Sequence, residues 1–119
     1  MDNLEKYDQM LAEIRRDFLN KLEVISDKMK MLYEDPSLCF TDSQAFSEMK
    51  TIAHNLHGSA GTFGFKPISE AATPLDRLLT DLEQGYQGMS VDEQNLKRIR
   101  AMLSELIVSV DESLTRDDG

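Results

Sequence analysis

The stretch FLNKLEVISDKMKML, residues 18–32, shows how this chain folds. Its apolar residues recur every three or four positions, and polar or charged residues fill most positions between them. This spacing places one apolar stripe along a helix, because an α-helix has 3.6 residues per turn. The stripe already begins at Leu4, so we predict one long amphipathic helix or two in line. Asp35-Pro36 ends it, since a residue before proline is biased away from helical backbone angles.

Three further apolar stripes follow the first, over residues 45–63, 68–82 and 96–114. Each again advances in steps of three and four, which predicts three more amphipathic helices. Capping-box spacing marks the start of two of them, at Thr41/Gln44 and Ser90/Glu93. Amphipathic helices joined by short loops pack most simply as an antiparallel bundle.

Two prolines bear on the third helix. Pro67 suits its first turn, where the N–H that proline lacks would be unpaired in any residue. Pro74 falls in its interior and removes one backbone hydrogen bond, so we expect a kink. The apolar stripe stays in phase across Pro74, which favours one bent helix over two separate helices.

Length and patterning together define the predicted architecture. A chain of 119 residues suits one domain, which we assign to residues 1–119. We predict an all-α fold in which residues 18–114 form an antiparallel up-down four-helix bundle. Residues 1–17 form an N-terminal helical extension of the same domain.

The charge and the cysteine count exclude several classes of partner and site. The chain has 13 Lys and Arg against 22 Asp and Glu, a net charge of −9, which argues against nucleic acid or an anionic membrane as its partner. No apolar run approaches the ~20 residues that span a bilayer. Cys39 is the only cysteine, so no intrachain disulfide can form and a reducing cytoplasm is the simplest location. We expect a cytoplasmic monomer.

One predicted helix holds both histidines and half of the glycines. They fall between His54 and Gly64, although glycine in a helix interior costs about 1 kcal/mol relative to alanine. On a helical wheel, His54 points away from the apolar stripe, Gly58 and Gly61 follow in the same lane, and His57 lies on its flank. We therefore predict an exposed imidazole beside a strip of bare backbone that a second protein can approach closely.

An exposed, neutral imidazole is a competent nucleophile towards an activated phosphoryl group. The sequence contains no visible Ser-His-Asp set, no glycine-rich loop after a strand and no nucleotide-binding signature. A histidine alone also lacks the metal ion and the positive charges that phosphoryl transfer requires. The pattern therefore favours a phosphoryl carrier over an autonomous enzyme, with the partner supplying the catalytic apparatus.

The segment AHNLHGSAGTFG, residues 53–64, resembles the signature of histidine-containing phosphotransfer (HPt) domains, roughly A-H-x-L-K-G-x-x-x-x-x-G. The similarity covers residues 18–114. It implies a carrier in a two-component phosphorelay that holds a phosphoryl group reversibly on His54, to or from the aspartates of receiver domains. The implied partners are a response-regulator receiver domain, a hybrid histidine kinase, or both. The chain would have no cofactor of its own, because the receiver supplies Mg²⁺.

The resemblance also assigns roles to residues around His54. Gly58 matches the glycine one turn later that lets a receiver dock closely, and Gly64 matches the glycine near the end of the motif helix. We assign both glycines to the partner-docking surface. We add Gly61, from the same lane, to the predicted docking residues. Phe65 completes this set, although its position suits either an interface or the end of the bundle.

His57 departs from the family pattern, which often has lysine at that position. A lysine would hold a fixed positive charge beside the phosphohistidine, whereas a histidine with an unperturbed pKa of ~6.5 is only partly protonated near pH 7. We expect His57 to be a replaceable neighbour of the phosphoryl group and not a second phosphorylation site. Lys50, one turn before His54, is a second candidate for the missing charge.

Other interpretations of the same residues stay open. A non-catalytic helical module would bind a regulator through this surface and sequester it without accepting phosphate. An ordinary surface histidine at position 54 needs no function at all. A metal site on His54 and His57 has helical spacing, but two ligands are too few, so we assign no metal.

Overall fold

The computed structural model describes residues 3–37, 41–85 and 92–116, and these contain four helices and no strand. The helices are α1 (Asn3–Glu34), α2 (Ser43–Ser59), α3 (Lys66–Gln84) and α4 (Glu93–Arg116). Contacts join α2 to α3, α3 to α4, α1 to α4 and α1 to α2, which closes the bundle. The predicted all-α four-helix fold is confirmed.

The core of the bundle consists of apolar side chains that all four helices direct inwards. Burying a side chain of this size stabilises the fold by about 1.5–3 kcal/mol relative to leaving it in water. The largest completely buried members are Leu22, Met29, Met49, Leu56, Ile68, Leu75, Leu79, Ile99, Leu103, Leu106 and Val110.

Helix α1 has two parts with different surroundings. All residues from 3 to 17 are exposed, including the apolar side chains of Leu4, Tyr7 and Leu11. The first buried residue is Phe18, and from there to Leu32 the helix packs against the bundle. Within the described residues, no helix is both long and apolar enough to cross a membrane.

Helix α2 begins at a different cap from the predicted one. Asp42, and not Thr41, is the N-cap: its Oδ1 accepts hydrogen bonds from the backbone N–H groups of Gln44 (2.9 Å) and Ala45 (3.4 Å). A carboxylate satisfies the unpaired N–H groups at a helix start and also interacts favourably with the positive end of the helix dipole. The predicted Thr41/Gln44 capping box is therefore wrong.

Helix α4 also begins after an aspartate. Asp92 Oδ1 accepts a hydrogen bond of 2.8 Å from the backbone N–H of Asn95. The predicted box joins Ser90 to Glu93, and Ser90 lies outside the described residues. Asp92 fills the capping role at this helix start.

Helix α2 is shorter than its apolar stripe predicts. It ends at Ser59, and residues 60–64 form a turn in which Phe65 N–H donates to Ala60 O at 2.8 Å. Helix α3 then starts with Pro67 in its first turn and runs through Pro74 without interruption. The prediction of one helix across Pro74 is confirmed, whereas the predicted continuation of α2 to Phe63 is wrong.

Candidate functional site

His54 lies on α2, on the side opposite the core. Its neighbours Ala53 and Leu56 are buried, whereas the His54 side chain is 74% exposed. The outward direction predicted from the helical wheel is confirmed. A second molecule can reach this imidazole without any change in the bundle.

A carboxylate from the next helix meets both histidines. Asp76 of α3 directs Oδ2 to His54 Nδ1 at 3.3 Å and to His57 Nδ1 at 3.0 Å. The Asp76 side chain is only 12% exposed, whereas that of His57 is 43% exposed. One buried oxygen therefore faces two exposed rings, both through their Nδ1 atoms.

This contact fixes the chemistry of the rings. Burial alone raises the pKa of the Asp76 carboxyl, but hydrogen bonds and charge interactions with His57 and His54 outweigh that effect and leave the pKa lowered. Asp76 is therefore an anion that accepts hydrogen bonds. A neutral imidazole that donates through Nδ1–H carries its lone pair on Nε2, so His54 presents a nucleophilic nitrogen to solvent.

The three glycines of the motif have three different surroundings. Beyond the adjacent helix backbone, a Cβ added at Gly58 would meet no atom of the described residues within 4 Å, so the surface beside His54 is open there. A Cβ at Gly61 would lie 3.6 Å from Ser69 of α3, so Gly61 faces the neighbouring helix within the turn. Because α2 ends at Ser59, Gly61 does not continue the helical lane of His54 and Gly58, and its role in docking stays a prediction. Gly64 has a φ of +89°, a backbone conformation that residues with a side chain rarely adopt.

Phe65 belongs to the end of the bundle. It is 3% exposed, and its ring centroid lies 5.4 Å from that of Phe18. The guanidinium carbon of Arg15 lies 4.9 Å from the centre of the same ring, on the outer side of the core. The assignment of Phe65 as a docking residue is therefore wrong, because its ring is used in packing.

A family model for the Hpt domain matches residues 5–108, nearly the whole chain. This chain belongs to the Hpt domain family. Nothing among curated proteins or solved structures matched it. Family membership gives the protein a phosphotransfer role in two-component signalling, as a carrier and not as a catalyst, and implies receiver domains as partners.

Lys50 of this Hpt domain is engaged away from His54. Its Nζ forms an ion pair with the Glu83 carboxylate of α3. The charge of Lys50 is thus partly neutralised by a neighbour within the bundle. Lys50 thus links α2 to α3 through its side chain, and its predicted role beside the phosphoryl group stays a prediction.

A groove of about 420 Å³ opens beside His54, between α1 and α2 of the Hpt domain. From α1 it is lined by Phe18, Lys21 and Ile25, and from α2 and the following turn by a longer set. That set comprises His54, Asn55, Leu56, Gly58, Ser59 and Phe63. The open surface at Gly58 and the exposed imidazole therefore share one concave, largely apolar face.

Sequence reasoning missed Asp76, although a signal for it exists. Asp76 lies four residues after Ala72 and three before Leu79, which places a charged residue on the buried stripe of α3. A charged residue on such a stripe is almost never fully buried unless it is paired.

In the part of the chain that the structure describes, no group of three or more His, Cys, Asp or Glu side chains is arranged to hold a metal ion.

Proposed function

We propose that this Hpt domain carries a phosphoryl group on His54 Nε2, reversibly, between receiver-domain aspartates or from a hybrid histidine kinase. The supporting observation is the His54 side chain, which is 74% exposed and has its Nδ1 3.3 Å from Asp76 Oδ2. This combination leaves one nitrogen accessible and holds the other against a carboxylate. Only the accessible nitrogen is available for attack on phosphorus.

The proposed step conserves atoms and charge. The lone pair of His54 Nε2 attacks the phosphorus of an aspartyl phosphate, the N–P bond forms, and the acyl P–O bond breaks. The receiver aspartate leaves as a carboxylate. The ring now carries phosphorus on Nε2 and a proton on Nδ1, and Asp76 neutralises its positive charge through the same hydrogen bond. In the reverse step the ring leaves as a neutral imidazole.

The remaining catalytic groups belong to the partner in this proposal. Phosphoryl transfer needs a metal ion and positive charges around the transferring group. We assign Mg²⁺ and a catalytic lysine to the receiver domain. The open surface at Gly58 and the groove between α1 and α2 provide the docking face. A cytoplasmic monomer remains our prediction, to be tested by cell fractionation and size-exclusion chromatography.

Transfer from a phosphorylated receiver domain of the same organism tests the proposal. We expect acid-labile phosphate on the wild-type protein and none on His54→Gln, with the same helical circular dichroism spectrum for both. His57→Gln is the matched control. It also removes an imidazole from α2, and that imidazole faces the same Asp76 carboxylate. We expect this control to retain the label.

The alternative, a module that sequesters a regulator, predicts a different result. Such a protein binds the receiver, but no acid-labile phosphate moves to it. Label that persists in His54→Gln and disappears in His57→Gln would contradict the assignment of the carrier residue. Calorimetric titration of the receiver separates binding from transfer.

A further inference from the structure

A phosphoryl group on His54 would need a positive charge that the expected residues do not supply. The chain has a net charge of −9, and His57 stands where the family often has lysine. His57 Nδ1 already faces Asp76, and Lys50 is paired with Glu83. Neither residue offers a fixed, uncompensated charge to a dianion on His54.

The groove beside His54 contains another candidate. Lys21 of α1 lines the wall opposite His54, and among the described residues that line this groove it is the only lysine or arginine. The Lys21 side chain is exposed and, within the described part of the chain, forms no hydrogen bond or ion pair. Its ammonium group lies on a flexible four-carbon stem, which suits contact with an incoming phosphate.

We propose that Lys21 is the residue that stabilises the phosphoryl group on His54, in place of the lysine missing at position 57. The inference rests on the proposed function of His54. In the family pattern the positive charge comes from a lysine on the same helix as the histidine. Here we assign it to Lys21 of α1. The apolar groove walls, including Phe18 and Phe63, strengthen the interaction because charges attract more strongly where water is partly excluded.

The second pKa of the phosphoryl group reports this contact directly. A nearby cation favours the dianion over the monoanion, so it lowers that pKa, and removing the cation raises it. The measurement requires no receiver, so a defect in docking does not affect it. Phosphoramidate is the donor: His54 Nε2 attacks its phosphorus, the N–P bond of the donor breaks, and ammonia leaves.

The experiment follows the phosphohistidine by ³¹P NMR as a function of pH. The His54 resonance is the one that is absent in His54→Gln. In Lys21→Met we expect the second phosphoryl pKa to rise by about half a unit, a threefold change in the ionisation constant. Lys21→Arg should restore the wild-type value, because arginine keeps the charge.

Lys28→Met is the matched control, since it removes the same charge from the same helix at an exposed position outside the groove lining. We expect its phosphoryl pKa to equal that of the wild type. An unchanged pKa in Lys21→Met, or a larger rise in Lys28→Met, overturns the assignment of Lys21 and leaves the role of His54 intact. Failure of receiver-dependent transfer to His54 overturns the proposed function instead.

Discussion

Gly58 and Gly64 are six residues apart in one motif, yet only at Gly64 does the backbone conformation itself favour glycine. Gly64 sits in the turn with a φ of +89°, and the fold itself demands it. Gly58 lies in α2, where an added Cβ would meet no atom of the described residues within 4 Å beyond the adjacent helix backbone. Among the residues that the structure describes, none stands in the way of a Cβ at position 58. The helical part of the motif is thus available to a partner, and the turn serves the fold.

The strongest test of this division is a large side chain at Gly58. Gly58→Leu should slow transfer from a phosphorylated receiver by about 10- to 100-fold, because the side chain stands where the partner approaches His54. Rapid-quench measurement of the transfer rate tests this, with thermal unfolding as the control for stability. An unchanged rate would remove our explanation of the open surface.

The next largest effect is expected at Asp76, whose carboxylate faces His54 Nδ1 from α3. Asp76→Asn should lower the transfer rate by about tenfold, because an amide neither holds the Nδ1–H tautomer as well nor neutralises the ring after transfer. The ¹⁵N chemical shifts of His54 should change with it, since they report which nitrogen carries the proton. Wild-type transfer together with wild-type shifts would show that Asp76 has only a structural role.

A β-branched side chain at Gly64 tests the other half of the motif. Gly64→Val should lower the free energy of unfolding by about 1–3 kcal/mol, because valine is strained at positive φ. Urea denaturation measures the loss, and the transfer rate of the folded protein should stay within about twofold of the wild type. A large loss of transfer without a loss of stability would place Gly64 in the docking surface.

Alanine at Gly58 should stabilise the protein, whereas valine at Gly64 should destabilise it. Gly58→Ala should raise the free energy of unfolding by about 0.5–1 kcal/mol, because alanine is the better helix former and its methyl group enters open space. Denaturation of this variant beside Gly64→Ala compares the two positions with one identical substitution. Destabilisation by Gly58→Ala would mean that a packing constraint exists at position 58.

The smallest expected effect is a loss of stability at acidic pH through protonation of Asp76. The pKa of Asp76 is lowered in the folded protein, so its carboxylate contributes stability that is complete above the unfolded pKa of about 3.9. That contribution is lost as the pH falls through the lowered, folded value. The difference in unfolding free energy between wild type and Asp76→Asn should therefore be smaller at pH 2.5 than at pH 6. A difference that does not change with pH would contradict an anionic, hydrogen-bonded Asp76.

Local patterns in the sequence predict the helices and the direction of His54 well. Steps of three and four identify buried faces, and a residue opposite such a face, as His54 is to Leu56, must be exposed. The same patterns place the end of α2 too late, because Ala60 is buried and Phe63 packs against the core from a turn rather than from a helix. The spacing of apolar residues indicates which side chains are buried, but it does not distinguish a helix from a turn.

Contacts between helices are beyond the reach of local patterns. Asp76 is 22 residues from His54, and only the packing of α3 on α2 brings its carboxylate to the ring. Phe65 presents the same difficulty, since its partner Phe18 belongs to the first helix. Lys21 likewise meets the site only across the groove between α1 and α2. The contacts of these three residues can therefore be identified only from the structure.

The position of the phosphoryl group on the ring tests the central claim most directly. Protein with ¹⁵N-labelled histidine, phosphorylated by a receiver domain, gives a ³¹P–¹⁵N coupling that identifies the bonded nitrogen. We predict coupling to Nε2 of His54, with the proton on Nδ1, which faces Asp76. Coupling to Nδ1 of His54, or to either nitrogen of His57, would contradict the account.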